Sequence, residues 1–216
     1  RVEVDGKGRF APVSFTGGIF LDEDGKPLKR PMYEWGLSSM FRDMNQDGRP
    51  DLYVCNDFES PDLIWINQGK GGFRVLSRSH SGLIALGQAR SSVVSDLNGD
   101  GRVDIATAQN NEQAKVHLNQ TGQAGVRVIL LGKGKNPAAV GASIVPIVDG
   151  KQGPKREINL GSGYLSQDGR ALVFATRGEE AALLVNWPDS GSGNYKIPKG
   201  AKTITITEDN GVRVVQ

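Results

Sequence analysis

Two nine-residue segments with the same spacing of oxygen-bearing side chains constrain this chain more than any other feature. Residues 43–51 and residues 96–104 both read D-x-N-x-D-G-x-x-D. One such segment could be a solvated turn, because Asp, Asn and Gly are common turn residues. Two copies that match at all five fixed positions indicate a shared structural role instead.

The side chains of these segments are typical of a calcium site. Calcium takes about six to eight oxygen ligands, and short acidic loops with a glycine at the sharp turn supply them compactly. We therefore predict two calcium ions, each held by four side-chain oxygens and one backbone carbonyl. In the first loop the predicted ligands are Asp43, Asn45, Asp47, Asp51 and the carbonyl of Arg49. In the second loop they are Asp96, Asn98, Asp100, Asp104 and the carbonyl of Arg102.

The loops are not EF-hands, which need a bidentate Glu at the twelfth position and a helix on either side. Val54 and Thr107 occupy the twelfth positions here, and neither can chelate in that way. A strand-like segment follows each loop, at residues 51–55 and 104–108. We therefore predict that each loop is the turn of a β-hairpin.

Charge and composition exclude several partners. Residues 1–123 hold 14 Lys and Arg against 16 Asp and Glu, whereas the remainder has a dispersed basic excess. No cluster of Lys and Arg marks a nucleic-acid or lipid surface, and no apolar run is long enough to insert into a membrane. Cys55 is the only cysteine, so no disulfide forms within the chain, and its strand setting predicts a buried thiol.

No segment predicts catalysis. The chain has no G-x-S-x-G, no H-E-x-x-H and no phosphate-binding loop. Ser79 and His80 are adjacent in sequence, which does not by itself place the hydroxyl against the imidazole, and His117 alternates with apolar residues as a packed or edge residue would. We predict no catalytic residues and no enzyme activity.

Residues 1–122 are organised as repeats. Residues 9–14 align with residues 72–77, and each unit closes on an Asn after a short apolar strand, at Asn67 and Asn119. Residues 5–8 resemble residues 67–71, which predicts that the tail of an earlier unit begins the chain. The first unit carries an insertion around residues 21–31, in which Asp22 to Gly25 fails the metal template and predicts a solvated turn.

Residues 123–216 have a different pattern, with short strands between glycine-rich turns and no acidic loop. Such spacing predicts a β-sandwich or barrel. The segment 203–207 alternates strictly and is rich in β-branched residues, the clearest strand signal of the chain. The other predicted strands are residues 126–131, 142–148, 171–175 and 182–187.

These patterns resemble a known architecture. The acidic loop, the following D-L-Y-V-type strand and the strand that ends in Asn resemble the FG-GAP/VCBS repeat, which forms blades of β-propellers. Residues 123–216 resemble the ASPIC/UnbV domain of cartilage acidic protein and its bacterial relatives. The matching segments are residues 139–142, 156–158, 161–167 and 185–188.

The resemblance implies an all-β fold in two domains. Residues 1–122 are expected to form about two blades of a larger, partial propeller, and residues 123–216 a β-sandwich-like ASPIC/UnbV domain. The family often has Asp at the third loop position, so Asn45 and Asn98 remove one formal charge from each site and predict weaker calcium binding. The chain is then a piece of a longer protein, with further blades upstream as intramolecular partners.

The resemblance and the loops together predict a non-enzymatic calcium-binding module of a secreted, periplasmic or cell-surface protein. Its expected role is adhesion or the binding of an unknown protein or carbohydrate, through loops carried on a rigid frame. Two alternatives stay open: an accessory domain of a larger extracellular enzyme, and a structural assembly unit. Trp35, Trp65 and Trp187 are expected to anchor the cores rather than to stack on sugars.

Overall fold

A computed structural model describes residues 12–57, 60–83, 88–176, 180–209 and 211–215. The chain is all-β, as predicted, and its sheets are arranged like the blades of a β-propeller. The predicted tail of an earlier unit at residues 5–8 lies outside the described residues. No helix in the described ranges is long and apolar enough to cross a membrane.

The first sheet contains the first acidic loop. Its strands lie in the order β1-β5-β4-β3-β2, in which β1 pairs with β5 in parallel and the other pairs are antiparallel. The strands are β1 (Phe20–Leu21), β2 (Gly36–Arg42), β3 (Asp51–Asn56), β4 (Leu63–Gly69) and β5 (Gly72–Leu76). In the insertion before β2, Asp22 accepts the Lys26 amide in an exposed turn, which confirms that prediction.

The second sheet repeats this hairpin with fewer strands. A four-residue helix, α1 (Arg78–Ser81), leads towards it, and its antiparallel order is β6-β7-β8. Its strands are β6 (Ala89–Ser95), β7 (Asp104–Gln109) and β8 (Lys115–His117). The two sheets bury one core between them, in which Met40, Tyr53 and Cys55 of the first meet Val94 and Ile105 of the second.

Two further sheets contain the C-terminal strands. In chain order these are β9 (Val126–Leu131), β10 (Ser143–Val148), β11 (Lys151–Gln152), β12 (Arg156–Glu157), β13 (Leu172–Phe174), β14 (Ala181–Trp187), β15 (Gly191–Lys196), β16 (Thr203–Thr207) and β17 (Gly211–Val214). One sheet has the order β11-β10-β14-β15, with β12 also on β10, and the other has β13-β9-β16-β17. The predicted division at residue 122 stays a prediction.

The C-terminal sheets enclose a single apolar core. Ile144 and Leu183 of one sheet pack in the same cluster as Val128, Ile204 and Ile206 of the other, all almost fully buried. Successive strand residues point to opposite faces of a sheet, so alternate residues of both sheets fill the space between them. This is the sandwich-like packing that the strand pattern predicts.

Strand β13 contributes to both cores of the molecule. Leu172 and Phe174 point into the C-terminal core, whereas Val173 between them packs in the core of the first two sheets. The period of two along a strand produces this division. This short strand therefore packs in the core of the repeat region and in the core of the C-terminal sheets.

The three tryptophans do not share one environment. Trp65 and Trp187 are 3% and 6% exposed, which confirms the prediction that they anchor the cores. Trp35 is 65% exposed, so the same prediction is wrong for this residue. It lies just before β2, outside the alternating part of the strand.

Candidate metal centre

Each acidic loop joins two antiparallel strands, as predicted. The first loop connects β2 to β3, whose last pair is Arg42 and Asp51. The second connects β6 to β7, whose last pair is Ser95 and Asp104. Both ninth-position aspartates are therefore the first residues of their strands, where the chain leaves the turn and enters the sheet.

Side-chain oxygens fold the first loop around its own backbone. The carboxylate of Asp43 accepts the amides of Asp47 at 3.0 Å and Gly48 at 2.9 Å. Asn45 Oδ1 also accepts the Asp47 amide at 3.1 Å, and Asp47 Oδ1 accepts the Arg49 amide at 2.9 Å. Gly48 has a φ of 86°, a left-handed conformation that strains other L-residues, so the glycine of the motif is required at this turn.

The second loop repeats most of this arrangement, although Asp96 Oδ1 accepts the Gly99 amide at 2.7 Å where Asp43 Oδ1 accepts the Asp47 amide. Asp96 Oδ2 accepts the Gly101 amide at 3.0 Å, and Gly101 has a φ of 82°. Asn98 Oδ1 accepts the Asp100 amide at 3.0 Å, and Asp100 Oδ1 accepts the Arg102 amide at 2.8 Å. The two copies of the motif therefore encode one local structure.

The ninth-position carboxylate connects the loop to the rest of its sheet. Asp51 is fully buried and accepts two backbone amides at 2.9 Å, from Met44 in the loop and from Asn67 in β4. Asp104 is 1% exposed and accepts the equivalent amides of Leu97 and Asn119, both at 2.8 Å. A buried carboxylate needs such partners. Burying a neutral polar group without a hydrogen bond costs roughly 2–7 kcal/mol, and burying an unpaired carboxylate costs more.

The asparagines that close the repeat units belong to this site, which sequence reasoning missed. The Asn67 side chain donates to the Pro50 carbonyl at 2.9 Å. The Asn119 side chain donates to the Val103 carbonyl at 3.3 Å and to the Met44 carbonyl of the first loop at 3.1 Å. The recurrence of Asn at the end of each unit was the available signal, and Asn119 brings the two loops side by side.

Burial and mutual repulsion raise the pKa values of two carboxyl groups in the first loop. Burial raises the pKa of Asp43 above its usual value, although the amides of Gly48 and Asp47 oppose this effect. Burial raises the pKa of Asp51 to about 6; the amides of Asn67 and Met44 oppose this shift, and the nearby carboxylates of Asp43 and Asp47 add to it. A cation beside these groups would reverse the repulsion, because an opposite charge favours the ionised form.

Arginines already neutralise part of the charge in both loops. Arg49 Nη2 lies 2.5 Å from Asp47 Oδ2, and Arg102 Nη1 lies 3.2 Å from Asp100 Oδ2. Burial alone would raise the pKa of Asp100, but the amide of Arg102, the Asn98 side chain and the Arg102 guanidinium together lower it. These side chains are partly exposed, so they can move away from the carboxylates.

The second loop also has a cation that sequence reasoning missed. Arg127 Nε, on β9, lies 3.9 Å from Asp96 Oδ2, and the Asp96 side chain is fully buried. The Gly125 amide donates to the Gly101 carbonyl at 2.8 Å, which holds the start of β9 against this loop. Contacts between residues this far apart in sequence leave no local pattern.

The donor set fits a hard cation in type and number, since each loop offers three carboxylates, one amide oxygen and backbone carbonyls. Their present arrangement is dominated by hydrogen bonds to backbone amides. Within the ranges that the structure describes, no group of three or more His, Cys, Asp or Glu side chains forms a metal cage. The predicted ligands of each loop therefore share one turn, and a cation would have to draw their carboxylates together.

The residues considered for catalysis do not form a catalytic arrangement. The structure places Ser77, not Ser79, against His80, with Oγ 2.7 Å from Nδ1 on an exposed helical turn. His117 lies on the edge strand β8, and burial lowers its pKa. Cys55 is fully buried, as predicted, and burial raises its pKa to about 11, so the thiolate is scarce at neutral pH.

The fold and the duplicated acidic hairpins together define an extracellular-type repeat module. The model of the FG-GAP-like repeat matches residues 43–107, and the model of the ASPIC and UnbV domain matches residues 132–213. Together they cover about two thirds of the chain, which is thus an FG-GAP repeat protein with a C-terminal ASPIC/UnbV domain. No curated protein matches the chain. FG-GAP repeats are typical of extracellular proteins, and both domains are generally non-catalytic.

Proposed function

We propose that this chain is a calcium-stabilised, non-enzymatic binding module that works outside the cytoplasm, in adhesion or in recognition of a protein or carbohydrate. The observation that carries the proposal is that one acidic motif forms closely similar loops at two neighbouring hairpin turns. Asp43 and Asp96 fill the first position, and Asp51 and Asp104 the ninth. Two loops with the same set of oxygen donors are expected to bind the same kind of ion.

Electrostatics favour a cation in the first loop. Asp43, Asp47 and Asp51 repel one another, and burial denies them the solvation that would compensate. Arg49 offsets one charge only. Weak sites with Kd of about 10⁻⁴–10⁻³ M suit extracellular calcium concentrations, so the ions would be permanently bound structural elements rather than signals.

Thermal unfolding with and without calcium tests the proposal. Binding to the folded form alone stabilises it by RT ln(1 + [L]/Kd), which is about 1.4 kcal/mol per site at ten times Kd. We expect chelation to lower the Tm by several degrees and 2 mM calcium (roughly ten times a Kd near 0.2 mM) to restore it. Magnesium, which dehydrates reluctantly, should restore less.

The double variant Asp47→Asn with Asp100→Asn provides the matched control. Each substitution keeps the shape of the side chain and its acceptor for the following amide, but removes one formal charge from each loop. We expect the variant to fold and to lose most of its response to calcium. A Tm that is the same in excess chelator and in calcium for the wild-type chain would disprove the calcium part of the proposal.

A structural assembly role is a second candidate, favoured by the exposed aromatic residues before and along β2. Tyr33 is 88% exposed, Trp35 65% and Phe41 53%, an unusual concentration of apolar surface. Light scattering after size exclusion tests this role. We expect the chain to associate at high concentration and the double variant Tyr33→Ser with Trp35→Ser to remain monomeric, whereas a monomeric wild type would contradict it.

A further inference from the structure

A large cavity lies between the first sheet and the C-terminal sheets. Its volume is about 790 Å³, within the range of roughly 300–1,000 Å³ that small-molecule sites occupy. The end of β2 and the first acidic loop form one side. The segment from β10 to β13 forms the other. We call this space the junction pocket.

Two arginines lie in the lining of the junction pocket, and only one has an acidic partner. Arg42 forms a short ion pair with Asp168, whose other oxygen accepts the Val94 amide at 3.0 Å. Arg156 donates from Nη1 to the Val173 carbonyl at 3.1 Å. Throughout the described part of the chain, no Asp or Glu forms an ion pair with Arg156.

Arg156 therefore lacks a carboxylate of the described residues within ion-pair distance, although the lining as a whole holds four cations and four acids. Both oxygens of Asp168 are used, and the lining acids Asp43 and Asp47 accept amides of their own loop. Burial and the neighbouring charge of Arg42 lower the pKa of Arg156 to about 9, and the charges of Asp168 and Asp43 oppose this shift. Charged groups with little access to water are normally paired, so a ligand carboxylate would complete the contacts of the half-buried Arg156.

Unpartnered polar atoms at the same place also indicate a ligand. Among the described residues, Arg42 Nε and Gln46 Oε1 are buried and have no hydrogen-bond partner, and both side chains belong to the lining. Buried polar groups normally have partners, and each orphaned group costs about 1–3 kcal/mol. A carboxylate would supply the acceptor that Arg42 Nε lacks, and a donor elsewhere on a larger ligand would satisfy Gln46 Oε1.

The other walls are apolar and aromatic. The Arg156 guanidinium carbon lies 5.5 Å from the centre of the Phe174 ring, a cation–π contact beside the pocket. Met40, Phe41 and Pro146 continue the apolar lining. This combination accommodates a planar or ring-shaped body behind a carboxylate.

We propose that the junction pocket binds a small organic carboxylate with a ring-shaped body, whose carboxylate is held by Arg156 and Arg42. The proposal rests on the recognition role proposed above and names a ligand class for it. It does not depend on the calcium ions. The pocket recognises the ligand through the carboxylate, while Phe174 and its apolar neighbours exclude water from that contact.

Benzoate and its neutral isostere benzamide are suitable probes, measured by thermal unfolding at constant ionic strength in 2 mM calcium. With a Kd near 1 mM, 10 mM benzoate should raise the Tm by about 3 °C, and benzamide by less than about 1 °C. Isothermal titration should give one site per chain. No effect of benzoate on the wild type, or an equal effect of benzamide or sulfate, would overturn the proposal.

Two substitutions at Arg156 locate the effect. Arg156→Met removes the charge but keeps the apolar stem, so the variant should fold as well as the wild type and lose the response to benzoate. Arg156→Lys keeps the charge without the planar fork and should weaken binding about tenfold, which tests the site even if the Met variant fails to fold. The exposed Arg213→Met is the matched control and should keep the full response. A full response in both Arg156 variants would also overturn the proposal.

The order of measurements separates the two proposals. The wild-type Tm is first compared in chelator and in calcium, and benzoate is then added under both conditions. A calcium effect without a benzoate effect overturns the junction pocket alone. A benzoate effect without a calcium effect overturns the calcium part of the proposed function alone.

Discussion

The two acidic loops share most of their internal hydrogen bonds but have different surroundings. Around the second loop, Arg127 lies beside the first-position carboxylate and the start of β9 covers the turn. The first loop borders the junction pocket, and burial and mutual repulsion raise the pKa of its acids. The sequence motif therefore determines the local turn, whereas tertiary contacts determine how strongly each turn requires a cation.

The hydrogen bonds that the two loops share can be tested at the buried ninth-position carboxylate. Replacing Asp51 with Ala leaves the amides of Met44 and Asn67 without their acceptor, at about 1–3 kcal/mol each. We expect the free energy of unfolding, measured in urea, to fall by about 4 kcal/mol. Asp104→Ala should cost a similar amount.

The exposed Asp24→Ala is the control for these two variants, and should change stability by less than about 0.5 kcal/mol. A large cost at Asp51 with a small cost at Asp104 would show that the two loops do not share one frame. In that case the repetition of hydrogen bonds would carry no energetic meaning.

The pH dependence of stability sharpens the difference between the loops. Because burial raises the pKa of Asp51 from 3.8 to about 6, the folded state keeps this proton to higher pH than the unfolded state. The stabilising contribution is present below pH 3.8 and is lost as the pH rises through about 6. In excess chelator we expect a loss of up to about 3 kcal/mol over this window.

Urea unfolding of Asp51→Asn between pH 4 and pH 7 provides the comparison. The variant cannot ionise at this position, so its stability should depend less on pH than that of the wild type, and Asp24→Asn should behave as the wild type. A pH profile that is unchanged by Asp51→Asn would refute the assignment of this ionisation to Asp51.

Removing Arg127 should increase the affinity of the second loop for calcium and make it more like the first loop, which has no equivalent arginine from a distant strand among the described ion pairs. The guanidinium repels a cation held by Asp96, so Arg127→Gln should tighten calcium binding to the second loop about fivefold. Isothermal titration in an Asp43→Asn background, where the first loop is weakened, measures this affinity. Arg213→Gln on β17 removes an equally charged but exposed residue and should have no effect; an unchanged Kd in Arg127→Gln would contradict the comparison.

The smallest expected effect concerns the fourth position of the loops. Gln46 and Gly99 both have a left-handed backbone, with φ of 58° and 80°. Gly99→Ala should therefore cost only about 1 kcal/mol, the ordinary strain of an L-residue in this region. Gly36→Ala, at an ordinary φ, is the control for urea unfolding, and a cost above about 3 kcal/mol at Gly99 would show that the loops tolerate different residues there.

Local signals predicted local structure well. Strict alternation identified residues 203–207 and the spacing of short apolar segments identified residues 126–131, which are β16 and β9 to the residue. The turn chemistry of the acidic segments identified both hairpins. The glycine-rich β15 (Gly191–Lys196) and the short β17 were missed, because neither has enough apolar alternation to stand out from the surrounding turns.

Long-range contacts could not be predicted from one sequence. The parallel pairing of β16 with β9 joins strands more than 70 residues apart, and Arg127 meets Asp96 only because of how the sheets pack. The junction pocket has the same origin, since Arg42 and Arg156 come from different sheets. Trp35 was misjudged because composition favours a buried tryptophan, whereas its position relative to the sheet exposes it.

The divided side chains of β13 have a consequence for how this protein can be rearranged. Val173 completes the core of the repeats, while Leu172 and Phe174 complete that of the other half. If the chain were cut near residue 122, the N-terminal product would lose Val173 from its core, and the C-terminal product would expose the face of β13 that Val173 occupies. Neither half should therefore fold stably by itself. A chimera with another ASPIC/UnbV domain should fold only if that domain has an apolar residue of similar volume at the position of Val173.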